Sequence, residues 1–271
     1  MTIPVSILSL YIGGEIFFDE TYALSSHFSK HRDRANSVIL SLGSIIDEIA
    51  LVAVATMERR SSISLGAILG SNSVIIAAFI VFILLGHKRR QPEQFTTVTV
   101  YTVLTGVVLL FSAYFFHLLF WAGSIFLLLI FVAYYFTGSG ITEKSTVEFT
   151  TGSFSLTVFV ISVISIGISS FATVEIIQNV SKILSVGELL SSIFIAGIAG
   201  SLPEIYLMKL SFDRGRDRTA SSILNSSTIY KTAILLPISA LVVPMVEGGN
   251  EIVAIIVFLM LALIQLIITR F

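Results

Sequence analysis

Long apolar runs constrain this chain more than any other feature of its sequence. A helix needs about 20 mostly apolar residues to cross the hydrocarbon core of a bilayer. Only 12% of the residues are charged, against about 25% in an average soluble domain. The sequence therefore predicts an all-α integral membrane protein of about nine transmembrane helices. We place them at 3–28, 35–57, 63–86, 95–115, 117–137, 152–182, 187–211, 219–243 and 250–270.

The composition excludes several other classes of protein. The chain has no cysteine, which excludes disulfides, thiolate metal sites and thiol catalysis. Its apolar runs do not alternate with polar residues as the strands of an outer-membrane barrel would. The first run contains Glu15, Asp19 and Glu20, which is unlike the core of a signal peptide. The fourth and fifth runs almost meet near His117, so eight or ten crossings are also compatible with the pattern.

The distribution of lysine and arginine predicts the orientation in the membrane. Cytoplasmic loops carry an excess of these residues. An N-terminus on the outside puts twelve of them inside and only Arg59, Arg60 and Lys182 outside. These basic loops indicate orientation and no nucleic-acid partner. The twelve inner residues are Lys30, Arg32, Arg34, Lys88, Arg89, Arg90, Lys144, Lys209, Arg214, Arg216, Arg218 and Arg270.

Two segments of the chain are versions of one another. Gly-Ser-Ile-Ile-Asp-Glu-Ile at 43–49 is similar to Gly-Ser-Leu-Pro-Glu-Ile at 200–205, with an offset of 156 residues that superposes Glu204 on Glu48. An odd number of crossings separates the two segments, so the halves enter the membrane from opposite sides. We predict a first inverted repeat of five helices at 1–137, a cytoplasmic hinge loop at 138–150 and a second repeat of four helices at 151–271.

The repeat also predicts a cation site near the middle of the membrane. A carboxylate there costs at least about 2.5–3.5 kcal/mol, so Glu48 and Glu204 should face protein or a hydrated cavity. Pro203 removes a backbone donor and frees the carbonyl of Ala199. Carboxylate, hydroxyl and carbonyl oxygens are hard ligands that suit calcium or sodium. The alternative is a pair of structural glutamates bonded to serines between helices.

Gly-Ser-Leu-Pro-Glu at 200–204 is paired with a Gly-Ser sequence one helix later in the first half, at 70–71. This pairing resembles the alpha-repeats of the cation/calcium antiporter superfamily, which includes sodium/calcium and calcium/proton exchangers. The resemblance is strongest at 38–86 and 194–243. It implies that helices two, three, seven and eight surround the ion, while helices one and six slide to alternate access. Superfamily members usually have ten helices, whereas the last predicted helix of this sequence matches their ninth. The metal ligands that the resemblance implies are Glu48, Glu204, Ser44, Ser71, Ser201 and Ser227.

The chain departs from the superfamily pattern at Ile45, Asp47, Ile75 and Lys231. The resemblance implies a serine and a proline at the first two positions and a polar or acidic residue at the last two. Lys231 has two interpretations. It forms a structural salt bridge that locks the site, or its ammonium stands where relatives bind a cation and calcium competes with it for the carboxylates.

Asp47 is a further candidate metal ligand because it restores a negative charge to the site. With Glu48, Glu204 and Lys231 it leaves two net negative charges, enough to neutralise one divalent ion. Adjacent helical residues point about 100° apart, however, so Asp47 and Glu48 cannot both aim at one ion unless the helix unwinds. Asp47 is alternatively the partner of Lys231.

The leading hypothesis for function is a secondary cation antiporter that exchanges Ca2+ for Na+ or H+. Its partners would be these ions and the lipid bilayer, with no covalently bound cofactor, and its location the plasma membrane of a prokaryote. The second hypothesis is a non-transporting ion-binding or regulatory homologue with a lysine-locked site. An intramembrane protease is disfavoured because the sequence contains no Gly-x-Gly-Asp motif. The oligomeric state is not indicated.

Overall fold

The chain folds into a bundle of helices. A computed structural model describes residues 2–28, 43, 45–87, 93–115, 117–137, 154–213, 217–242 and 249–270. Helical segments that follow one another without a break form one continuous helix. The α-helices are α1 Thr2–Phe28, α2 Ile46–Met57, α3 Ser61–Phe82, α4 Glu93–Tyr114, α5 His117–Thr137, α6 Leu156–Leu184, α7 Glu188–Ser192 with Ile198–Asp213, α8 Asp217–Tyr230 with Leu236–Val242, and α9 Gly249–Arg270.

Three of these helices contain a π-helical turn. Ile83–His87 extends α3, Ile193–Gly197 joins the two parts of α7, and Lys231–Leu235 joins the two parts of α8. Single π-turns inside α-helices are frequently found at functional sites. Hydrophobic spacing did not predict them, because an extra residue in one turn barely changes an apolar pattern.

The length and composition of the helices agree with a membrane protein. Within the described part, four helices are long and apolar enough to span a bilayer, and two shorter apolar helices lie at Thr99–Tyr114 and Gly123–Tyr134. The four spans are Ser61–Leu85, Leu156–Leu184, Glu188–Asp213 and Asn250–Thr269. Many large apolar side chains on these helices are exposed, as expected for surfaces that face lipid.

Helices α1 and α6 pack side by side in opposite directions. The hydroxyl of Ser169 donates to Ser9 (2.9 Å), while a Cβ at Gly13 would lie 3.5 Å from the hydroxyl of Ser165. Further along α1, Glu20 accepts a hydrogen bond from the backbone N–H of Ser155 (2.7 Å). The offset of 156 residues superposes Ser165 on Ser9 and Ser169 on Gly13, so the contact of Ser9 with Ser169 corresponds to the contact of Gly13 with Ser165. The first two contacts are therefore related to each other by the repeat.

Helices α3 and α7 pack closely and run in the same direction. A Cβ added to Gly66 would lie 2.6 Å from the carbonyl oxygen of Leu189. One at Gly70 would lie 2.8 Å from the Cα of Ile193. Because α2 and α3 are joined by a short turn and lie antiparallel, α2 and α7 run in opposite directions. These two helices carry Glu48 and Glu204.

The other predicted helix bounds agree with the structure to within a few residues, but the second predicted helix, 35–57, is interrupted, because Ile45 forms a turn and α2 begins at Ile46. The first part of the second run, 35–42, and the predicted hinge at 138–150 lie outside the described residues. The number of membrane crossings and the inverted repeat stay predictions.

Candidate functional site

Lys231 lies between the two glutamates that the repeat relates. Its Nζ donates to Oε1 of Glu204 at 2.8 Å and forms an ion pair with Oε1 of Glu48. The exposed fractions of these side chains are 0% for Lys231, 2% for Glu48 and 1% for Glu204. A single ammonium therefore connects α2 and α7 from α8, away from solvent.

Each of these three groups has a distinct place on its helix. Glu48 lies in the first turn of α2. Lys231 is the first residue of the π-turn in α8. Gly200, one turn before Glu204 on α7, leaves space for the incoming carboxylate, because a Cβ there would lie 2.9 Å from Oε1 of Glu48. The absent side chain of Gly200 thus admits a side chain of α2.

The four predicted serine ligands differ in their positions. Ser227 is part of the cluster, since its hydroxyl donates to Oε1 of Glu204 at 2.9 Å. Ser71 and Ser201 are buried, but their hydroxyls donate to backbone carbonyls of their own helices, those of Ile68 and Ile198. Ser44 lies outside the described residues.

Asp47 is buried beside the cluster. It directly precedes Glu48 on α2, and only 5% of the residue is exposed. Helix α1 covers it, because a Cβ at Gly14 would lie 3.6 Å from the Cβ of Asp47. The three carboxyl groups and the ammonium thus share one buried environment.

The cluster is held together by charge. Removing one partner from a buried ion pair costs about 3–5 kcal/mol, because the other charge is left uncompensated. In the described part of the chain, no three acidic or histidine side chains converge as metal ligands. One oxygen of Glu48 and one oxygen of Glu204 instead contact the lysine ammonium.

The two ends of the helices beyond the cluster differ in polarity. Two turns after Glu48, Thr56 contacts the hydroxyls of Ser239 (2.7 Å) and Ser64 (3.4 Å). Two turns after Glu204, Phe212 packs against Phe79 with ring centroids 5.8 Å apart. Because α2 and α7 run in opposite directions, a hydroxyl-lined layer lies on one side of the cluster and an aromatic layer on the other.

Comparison with known proteins identifies the family. A family model described as "Sodium/calcium exchanger protein" matches residues 1–138 and 154–271, nearly the whole chain. The chain belongs to the sodium/calcium exchanger family. The resemblance stated from its motifs is confirmed, and the family is one of transporters rather than enzymes. The comparison with curated proteins finds no match.

Solved structures with the same fold include three different exchangers. Native YfkE has a TM-score of 0.73 at 18% identity, covering 99% of this chain and 84% of that one. The H+/Ca2+ exchanger CAX has a TM-score of 0.71 at 17% identity, covering 98% and 74%. The sodium-calcium exchanger NCX_Mj, soaked with 100 mM Na+ and 10 mM Sr2+, has a TM-score of 0.62 at 17% identity, covering 99% and 89%. At these identities the likeness shows the fold.

Two buried polar residues of this exchanger-family chain were missed by the sequence analysis. Asn72 and Thr228 follow Ser71 and Ser227, and the offset of 156 residues superposes one on the other. Both are buried, and among the described residues their side-chain polar atoms have no hydrogen-bond partner. The repeat alone could have identified them, because it pairs a polar residue with a polar residue at equal depth.

Proposed function

We propose that this protein is a secondary active antiporter that exchanges Ca2+ for Na+ or H+ by alternating access. The observation that carries the proposal is the position of Lys231, whose ammonium is held by Glu48 and Glu204 in the interior of an exchanger fold. Two glutamates from opposite halves that hold one cation can hold another, and exchange requires a site that different cations occupy in turn.

We infer that the chain consists of two inverted repeats, 1–137 and 151–271, joined by a cytoplasmic loop. The opposite directions of α2 and α7, and the repeat-related contacts between α1 and α6, support this arrangement. Inverted repeats place substrate sites near the bilayer midplane, where the repeats meet. The excess of basic residues on one side supports an N-terminus outside, and a prokaryotic plasma membrane is the location we propose.

In the proposed cycle, Ca2+ displaces the ammonium of Lys231 from the two glutamates. Loss of Ca2+ then restores both ion pairs of the lysine. Ser227 already donates to Glu204 and is the nearest hydroxyl ligand. Ser71 and Ser201 would join after their hydroxyls rotate away from the backbone, and Ser44 would supply a further hydroxyl from the first half. A lysine at this position replaces one mobile sodium ion with a tethered charge, which either lowers the number of exchanged ions or makes protons the coupling ion.

Ion flux through the purified protein tests the proposal. We expect proteoliposomes loaded with 45Ca2+ to release it when an inward Na+ gradient or an inward H+ gradient is imposed, each applied separately to identify the coupling ion. Glu48→Gln and Glu204→Gln should reduce release at least tenfold. Glu251→Gln is the matched control, because Glu251 is another buried glutamate, bonded to Ser62 at 3.2 Å. Release from all three variants at the wild-type level would exclude these glutamates as ligands.

Replacement of Lys231 tests its part in coupling. We expect Lys231→Asp, which places an acid at this position, to increase the dependence of calcium release on Na+. An unchanged dependence on both gradients would contradict a role of the lysine in coupling.

A second candidate function is an ion-binding or regulatory membrane protein without turnover. The complete burial of Lys231 and its ion pairs with both glutamates favour this second function, because these ion pairs can lock the site. Calcium binding by the purified protein, with no gradient-driven release of 45Ca2+, would support this function instead.

A further inference from the structure

Lys231 is paired with Glu48 and Glu204. A divalent cation bound to both glutamates would leave the lysine without these two partners. The lysine side chain is completely buried, so its ammonium has no direct access to water. An unpaired charge in such a place is strongly destabilising. If the lysine stays charged, the cation-loaded protein must supply another acidic partner within reach of this side chain.

The described residues offer few acids for this purpose. Their buried acidic side chains are Asp47, Glu48, Glu204 and Glu251. Glu251 lies in the first turn of α9 and accepts a hydrogen bond from Ser62, at the start of α3. Ser71, the predicted site residue of α3, lies nine residues beyond Ser62, about 13 Å along the helix at 1.5 Å per residue. Glu251 is therefore far from the predicted site along α3. Asp47 is the remaining buried acid beside the cluster.

Asp47 also has the position that a second partner requires. It precedes Glu48 on α2 and points about 100° away from it around the helix axis. It therefore stands beside the ion position rather than facing the same point as Glu48. Glu48, the next residue on α2, already pairs with Lys231. The four-carbon stem of a lysine is flexible enough to carry the ammonium from one carboxylate to its neighbour.

We propose that Asp47 is the second docking position of the Lys231 ammonium and holds it while a divalent cation occupies Glu48 and Glu204. This inference rests on the proposed function, because it assigns Asp47 a place in the same exchange. The charges then balance in the loaded state, since three carboxylates face one divalent cation and one ammonium. Asp47 is a positioning residue for the lysine and does not ligate the cation.

A double-mutant cycle on the affinity for Ca2+ separates docking from ligation. The variants of the full-length protein are Asp47→Asn, Lys231→Met and the double substitution, and calorimetric titration with Ca2+ in detergent measures the affinity. We expect Asp47→Asn to weaken Ca2+ binding at least tenfold when Lys231 is present. In the Lys231→Met background the same substitution should change the affinity less than twofold, because no ammonium remains to be docked.

Other outcomes of the cycle overturn the proposal. Equal weakening in both backgrounds makes Asp47 a direct ligand, and no weakening in either background leaves it without a role in the exchange. If neither the wild type nor Lys231→Met binds Ca2+, the proposed function and the docking role both fail. If the cycle gives the expected result but proteoliposomes show no gradient-driven release, antiport fails and the docking role stands.

A structure of the wild type with Sr2+ bound gives a test that does not depend on the folding of Asp47→Asn. We expect the Nζ of Lys231 within about 4 Å of the Asp47 carboxylate, with Sr2+ between Glu48 and Glu204. An ammonium still bonded to both glutamates, or Asp47 oxygens coordinated to Sr2+, would overturn the docking role.

Discussion

Gly200 determines how closely Glu48 can approach α7. A methyl group at this position would lie 2.9 Å from Oε1, 3.1 Å from Cγ and 3.2 Å from Cδ of Glu48. We therefore expect Gly200→Ala to displace the carboxylate and weaken its pairing with Lys231. The substitution should destabilise the protein by about 1–3 kcal/mol, the usual range for overpacking, and lower the affinity for Ca2+. Thermal unfolding in detergent and calcium titration measure the two effects.

Gly167→Ala is the matched control for this prediction. Gly167 lies inside α6 and nothing lies within 4 Å of the position its Cβ would take. Alanine is favoured over glycine by up to about 1 kcal/mol in a helix interior, so this variant should be equally or more stable. A loss of stability as large as that of Gly200→Ala would show that the effect is not specific to the contact with Glu48.

The α3–α7 pair is the tightest contact between helices that carry the site. A Cβ at Gly70 would lie 2.8 Å from the Cα of Ile193, 3.0 Å from its carbonyl oxygen and 3.2 Å from the Cα of Gly197. All three atoms belong to the backbone, which cannot rotate away as a side chain can. Gly70→Ala should therefore force the helices apart and lower the melting temperature by roughly 3–10 °C, equivalent to about 1–3 kcal/mol in a protein of this size.

Gly14→Ala is the control for the helix contact. A Cβ at Gly14 would lie 3.6 Å from Asp47, which is ordinary van der Waals contact. We expect its melting temperature to stay within about 2 °C of the wild type. If Gly70→Ala melts as the wild type does, the close approach of α3 and α7 does not limit stability.

The orientation of the complete bundle is testable because the chain contains no cysteine. The turn after α6 and the end of α7 lie at opposite ends of α7, where Gly187 and Asp213 are exposed. With the N-terminus outside, a membrane-impermeant maleimide should label Gly187→Cys in intact cells and leave Asp213→Cys unlabelled until the membrane is opened. The reverse pattern would contradict the orientation that the basic residues predict.

Much of the fold was predictable because membrane helices are specified by local composition. Apart from the start of the second helix, apolar runs predicted the described helices to within a few residues, and the motif at 200–204 with the Gly-Ser pair at 70–71 indicated the family. The π-turns were not predictable. The turn at Lys231–Leu235 has no counterpart in α3, where the residues 156 positions earlier continue a regular α-helix. Its geometry depends on how α8 packs against its neighbours.

The candidate site was predictable in part. The repeat selected Glu48 and Glu204 as a pair, and the cost of an unpaired ammonium in the membrane identified Lys231 as their candidate partner. Sequence spacing did not distinguish Ser227, which bonds to Glu204, from Ser71 and Ser201, which bond to their own helices. The direction of a hydroxyl depends on the acceptors nearby, and for Ser227 the acceptor comes from another helix.

The sequence by itself determined that this protein lies in a membrane, which family it belongs to and which carboxylates correspond between its halves. Apolar length and internal similarity are properties of the chain and need no coordinates. Only the tertiary structure decided that one lysine is bonded to both glutamates, that Gly200 makes room for one of them and that Asp47 lies beside them. These facts depend on distances between helices far apart in the chain, which are set by packing of their surfaces.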